Sequence, residues 1–121
     1  MTDIAGLIER LERATEPDHR LFYDTARAVY PTAFPCGWIL DQELAEWRFL
    51  TFDHLIGAKA WESAALALVE RVRPGAGWAV GKTPGGTGWA RVFKAREHYS
   101  EAPTPAIALL ITLLKSMETE Q

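Results

Sequence analysis

Cysteine is nearly missing from this chain. Cys36 is the sole example in 121 residues, so no internal disulfide can form and folding does not depend on oxidation. A thiolate metal centre is excluded on the same ground, and the three histidines do not replace it. His19, His54 and His98 fall in different segments, none beside a cysteine or a second histidine at ligand spacing. Cys36 also has no histidine near it in sequence, so it reads as a small apolar residue rather than a nucleophile. There is no apolar run approaching the roughly 18 residues a membrane helix needs. The opening residues MTDIAGLIERLERATE are acidic and amphipathic, unlike a secretory leader with its basic start and continuous apolar stretch. A reducing, cytoplasmic setting is expected from these absences. Repeats and low-complexity tracts are also lacking, and the length suits one domain over residues 1–121.

Strong net charge is absent too: 13 basic against 16 acidic groups give −3, which argues against a general nucleic-acid binder. The charge is uneven, however. Residues 1–72 carry a balance of −5, while residues 73–99 hold Arg73, Lys82, Arg91, Lys94 and Arg96 against Glu97 alone. A local positive field can sit on an acidic protein. Tryptophan is plentiful, with five residues, and such large side chains anchor cores or interfaces.

Apolar periodicity supplies the elements. Ile4, Leu7, Ile8, Leu11 and Ala14 recur at helical spacing, with Glu9, Arg10, Glu12 and Arg13 on the opposite side and Thr2 or Asp3 as cap. A second helix is expected from about residue 16 to 30, with Thr15 as cap and Pro17 in its first turn. Residues 31–37 read as a loop, and the apolar stretches within 38–52 as a hairpin around Asp41, Gln42 and Glu43. Asp41, Glu43 and Glu46 are more simply a polar turn than paired acid–base carboxylates. The alanine-rich segment 59–72 is the strongest helix, with Trp61, Ala65, Leu68 and Val72 on one face, starting near Ala58 because Gly57 is a poor helix residue.

Strands at 78–80 and 89–94 then flank the glycine-rich tip 83–88, which is expected to be mobile, and residues 97–100 add a short third strand. Thr104-Pro105 opens the last helix, running to about Met117, in which Ala106, Leu109, Leu110, Leu113 and Leu114 form a stripe widened by Ile107 and Ile111. These elements predict an α+β fold: a small, mostly antiparallel sheet of three to four strands in an α/β/α sandwich-like arrangement. The helices at 59–72 and 104–117 are expected over one face, with the two N-terminal helices on the other face or at one end.

No catalytic constellation emerges. Gly81-Lys82-Thr83 superficially suggests a phosphate loop, but position 76 is alanine and a strand, not a helix, follows the threonine. No cofactor is expected and the chain reads as a non-enzyme. The candidate binding residues are Trp78, Lys82, Trp89, Arg91, Lys94 and Arg96 on the 78–96 hairpin, where aromatics interleave with cations as stacking on bases and neutralising phosphates would require. Alternation splits these groups between the two strand faces, so a half-buried structural hairpin is the competing reading.

Two stretches, residues 58–81 ending in Gly77-Trp78-Ala79-Val80-Gly81 and residues 101–110 with Thr104-Pro105 before an Ala-rich helix, resemble small phage and prophage proteins of the phage ABA sandwich type. Leu7 to Glu12 with Pro17-Asp18 adds to the likeness, which spans about two-thirds of the chain; residues 31–52 lie outside it. The resemblance implies a helix–sheet–helix arrangement and a phage origin, with no activity to transfer. The expected function is a non-enzymatic phage accessory protein that binds a host protein, with inhibitors of anti-phage defence as the subclass. A nucleotide or nucleic-acid module using the hairpin is the alternative.

Overall fold

The computed structural model describes residues 4–29, 55–73, 75–93 and 96–119. The expected loop at 31–37, the hairpin at 38–52, Cys36, His54, the caps Thr2 and Asp3 and the candidate Lys94 lie outside the described residues. Within them the fold is α+β, in the order α1 (Ile4–Arg13), α2 (His19–Val29), α3 (Trp61–Val72), β1 (Gly77–Lys82), β2 (Gly88–Phe93), β3 (Glu97–Ala102) and α4 (Pro105–Thr119). The strands form an antiparallel sheet in the order β1-β2-β3.

α4 is the hub. Residues 105–114 are all buried, because the helix has an occupant on every side: β2 and β3 below, α1, α2 and α3 above. A helix that is apolar all round belongs in a core rather than at a surface. Its sequence AIALLITLL is apolar save for Thr112. Thr112 donates to the Ala108 carbonyl at 2.7 Å, with the Ala90 carbonyl of β2 at 3.4 Å as second acceptor, so the buried hydroxyl is satisfied. Ser116 likewise donates to the Leu113 carbonyl. The layering differs from the expected one in a specific way. α3 packs on α4 instead of lying beside it over the sheet, and α1 and α2, expected on the other face of the sheet or at one end, also pack on α4. The physical reason is the width of the α4 stripe: an all-round apolar helix must itself be covered on both sides.

Local chemistry sets the ends. Thr104 caps α4 as expected: its Oγ1 accepts from the Ile107 amide at 3.2 Å. For α2 the cap is Asp18, whose Oδ1 accepts from the Leu21 amide at 2.8 Å, so the helix begins at His19, not near residue 16, and Pro17 precedes the cap. α3 begins at Trp61 instead of Ala58, because a helical turn at 55–57 closes first. Lys59 there has φ 59°, the Lys59 amide donates to the Ile56 carbonyl and the Ala60 amide to the Leu55 carbonyl. That is the left-handed C-terminal cap usually given to glycine.

α1 buries Leu7, Ile8 and Leu11, α2 buries Leu21, Phe22, Thr25, Ala26 and Val29, and Arg10 reaches Asp24 at 3.0 Å to link them. On α3, Ala64, Ala65, Leu68 and Val69 are buried. Trp61 is half-buried between α2 and α3, its ring 4.9 Å from Phe22 and 5.5 Å from His19. Among the described residues no helix is long and apolar enough to cross a membrane.

Candidate functional site: the open face of the sheet

Strand alternation divides the sheet sharply. On β2, Gly88, Ala90 and Val92 are buried towards α4, while Arg91 and Phe93 are exposed and Trp89 is half-buried on the other side. The register carries this across the sheet. Gly81, Trp89 and Glu101 form one outer row; Ala79, Arg91 and Tyr99 the middle row; Gly77, Phe93 and Glu97 the last. Cross-strand partners share a face, so these nine positions make up the outward surface. No described helix packs on it.

The surface has two halves with different chemistry. Along β1 the outward residues are Gly77, Ala79 and Gly81, and the rings of β2 fold onto them. A Cβ placed on Gly77 would lie 2.1 Å from Phe93 Cε2, and one on Gly81 2.8 Å from Trp89 Cζ2. The glycines therefore serve as a floor for aromatic rings, a known way of shielding backbone in a strand. Phe93 nevertheless remains 44% exposed. Along β3 the outward residues are Glu97, Tyr99 and Glu101. Arg91 turns to this side: its Nε lies 3.3 Å from Glu97 and its guanidinium carbon 5.9 Å from the Tyr99 ring centre. The Tyr99 hydroxyl donates to Glu101 Oε2 at 2.9 Å. That bond, with lesser contributions from burial and the negative charge of Glu101, holds the phenol above the ordinary tyrosine range, while Arg91 pulls the other way.

The six residues picked from the sequence do not converge. Trp89 and Arg91 lie on the open face. Trp78 and Lys82 pair with Val92 and Gly88 and so belong to the opposite side of the edge strand, both exposed. Arg96 is exposed immediately before β3, and Lys94 is outside the described residues. The structure adds Phe93, Tyr99, Glu97 and Glu101 to the face. The period-two pattern of Trp89-x-Arg91-x-Phe93 signals Phe93 in the sequence; Tyr99 and its glutamates needed the third strand to run through residue 102.

The glycine-rich tip is a bonded turn. The Thr83 amide donates to the Thr87 carbonyl at 2.8 Å, the Gly86 amide to the Thr83 carbonyl at 2.9 Å, and the two threonine hydroxyls meet at 2.8 Å. Among the described residues no group of three His, Cys, Asp or Glu side chains could hold a metal ion. No family model, curated protein or solved structure matches the chain.

Proposed function

We propose that this chain acts by binding another protein through the open face of its sheet. The observation that carries the reading is the concentration of exposed aromatic surface and one arginine on a face that no described helix covers: Phe93 at 44% and Tyr99 at 46% exposure, with Arg91 beside both and Trp89 in the next row. Aromatic residues and arginine are the side chains enriched where proteins bind one another. Following the phage resemblance of the sequence, the partner is a host protein, and interference with anti-phage defence is the process such binding serves.

A nucleic-acid reading draws on the same rings, since bases stack on aromatics displayed by open sheets. Two carboxylates against one guanidinium on the face oppose it, because a phosphate backbone calls for net positive charge. The test is capture from a bacterial lysate by the tagged protein and by a Phe93→Ser, Tyr99→Ser variant, with Glu9→Lys, Glu12→Lys as control on α1. The reading expects the face variant to lose the captured protein and the control to keep it. Loss in the control alone places the binding surface on the N-terminal helices, and tight salt-sensitive binding of a single-stranded oligonucleotide by the unmodified protein favours the alternative.

A further inference from the structure

In the order β1-β2-β3 the two outer strands each have one strand partner among the described residues, so each leaves a row of backbone donors and acceptors along one edge. The hairpin tip fixes which groups these are on β1. The Thr83 amide donates to the Thr87 carbonyl, and the register continues without a bulge to Gly77 and Phe93. Successive residues of a strand turn their backbone groups to opposite sides. Gly77, Ala79 and Gly81 therefore bond to β2, while Trp78, Val80 and Lys82 direct N–H and C=O away from it. Carried through β2, the same alternation gives the outward groups of β3 to Glu97, Tyr99 and Glu101.

We infer that two copies of this chain pair antiparallel along β1, with Val80 opposite its own counterpart. The register follows from complementarity. Only residues with outward backbone groups exchange bonds across the new pair, and centring it on Val80 engages Trp78, Val80 and Lys82 of both copies. Trp78 then stands across from Lys82 of the second copy, and Lys82 across from Trp78 of the second copy. Each ammonium meets an indole, a favourable cation–aromatic contact, and no like charges face each other. Trp78 is 42% exposed and Lys82 is exposed, so both are open to a second chain. β1 also carries no proline and no acidic residue. The other edge is guarded against the same operation. Centring a pair on Tyr99 sets Glu97 against Glu101 of the second copy twice over, and like charges directly opposite destabilise a strand pair. The twofold axis of the β1 pair stands perpendicular to the sheet, so three strands from each copy form one sheet with both open faces on the same side. The inference does not rest on the protein-binding reading above; it presents that surface twice.

The test is sedimentation equilibrium of the full chain over a range of concentrations, where the inference expects a monomer–dimer equilibrium. Val80→Pro removes the central donor of each copy and leaves the bonds to β2 in place, because proline is tolerated on an edge strand where its nitrogen faces outward. With two hydrogen bonds lost, the dimer should weaken about tenfold or more while the far-UV spectrum is kept. Trp78→Lys sets lysine against lysine and should also shift the equilibrium to monomer. Adding Lys82→Glu to Trp78→Lys makes the facing pair complementary again and should recover the dimer, a rescue that general destabilisation does not produce. A monomer at every concentration overturns the inference, whether the edge is taken within the chain or by another protein. So does a dimer that Val80→Pro leaves at full strength, or a double variant that dimerises no better than Trp78→Lys alone. If Val80→Pro loses its far-UV spectrum, the charge exchange decides: recovery supports the pairing and its absence overturns it.

Discussion

The two faces of this sheet are made from the same three strands and spend their side chains differently. Where β2 and β3 meet α4 the inner face is small and apolar, with Trp78 and Lys82 at its exposed β1 edge: Gly88, Ala90, Val92 and Ala102 are buried, and so is Ser100, whose hydroxyl has no hydrogen-bond partner among the described residues. Small residues let the strands approach the helix closely, and β2 meets the start of α4 at backbone distance. The outward face holds the large rings, the arginine and the glutamates, with exposed surface and polar contacts among themselves. Burial stabilises in proportion to apolar area removed from water, whereas exposed ion pairs contribute little. The inner face therefore maintains the fold, and the outer face is less constrained by it.

That comparison can be broken at its inner side first. A Cβ on Gly88 would lie 2.1 Å from the Pro105 nitrogen and 2.2 Å from the Thr104 carbonyl carbon. Backbone atoms cannot swing aside, so Gly88→Ala should cost about 3 kcal/mol or more, read as a fall in the denaturant midpoint. Gly77→Ala meets only the exposed Phe93 ring, which can turn outward, and should cost markedly less. Equal costs would mean that the inner and outer faces are equally constrained.

Leu110→Ala, in the fully buried part of α4, should cost about 2–5 kcal/mol through lost burial and a residual cavity. Phe93→Ala on the outer face should cost about 1 kcal/mol or less, because nearly half of that ring is already in water. Thr104→Ala removes the acceptor of the Ile107 amide and should cost about 1 kcal/mol; a full retention of the thermal midpoint would show that α4 needs no cap.

The smallest effect lies on the outer face. The Tyr99 phenol should ionise at higher pH than an ordinary tyrosine, chiefly through its bond to Glu101. A raised folded-state pKa means that the neutral form is favoured by folding. The contribution is present below the unfolded-state value and fades as pH rises through the folded one. Glu101→Gln should move the tyrosinate absorbance titration back down, and an unchanged titration would place Glu101 away from the hydroxyl.

Much of the inner architecture was readable from residues because it rests on local rules. Thr104-Pro105 reads as a helix start, and period-two alternation places Trp89, Arg91 and Phe93 on one face. What local rules could not supply is competition between equally plausible choices. Thr15 and Asp18 are both good caps, and Asp18 is the one whose carboxylate reaches an amide. Gly57 looks like the helix breaker before α3, yet Lys59 takes the left-handed position. The positive balance of residues 73–99 overstated the field of the hairpin, since Arg91 is paired with Glu97 and Glu101 joins the same face from just beyond that window. The tip looked unsupported because glycines dominate it, whereas the Thr83–Thr87 pair closes it.

The most direct test of the division between the faces is hydroxyl-radical footprinting of the free and partner-bound protein. The account predicts that binding protects Trp89, Phe93 and Tyr99 on the outer face and leaves His19 and Tyr23 on α2 labelled as in the free chain. Protection of His19 and Tyr23 with the three sheet aromatics unchanged would contradict it.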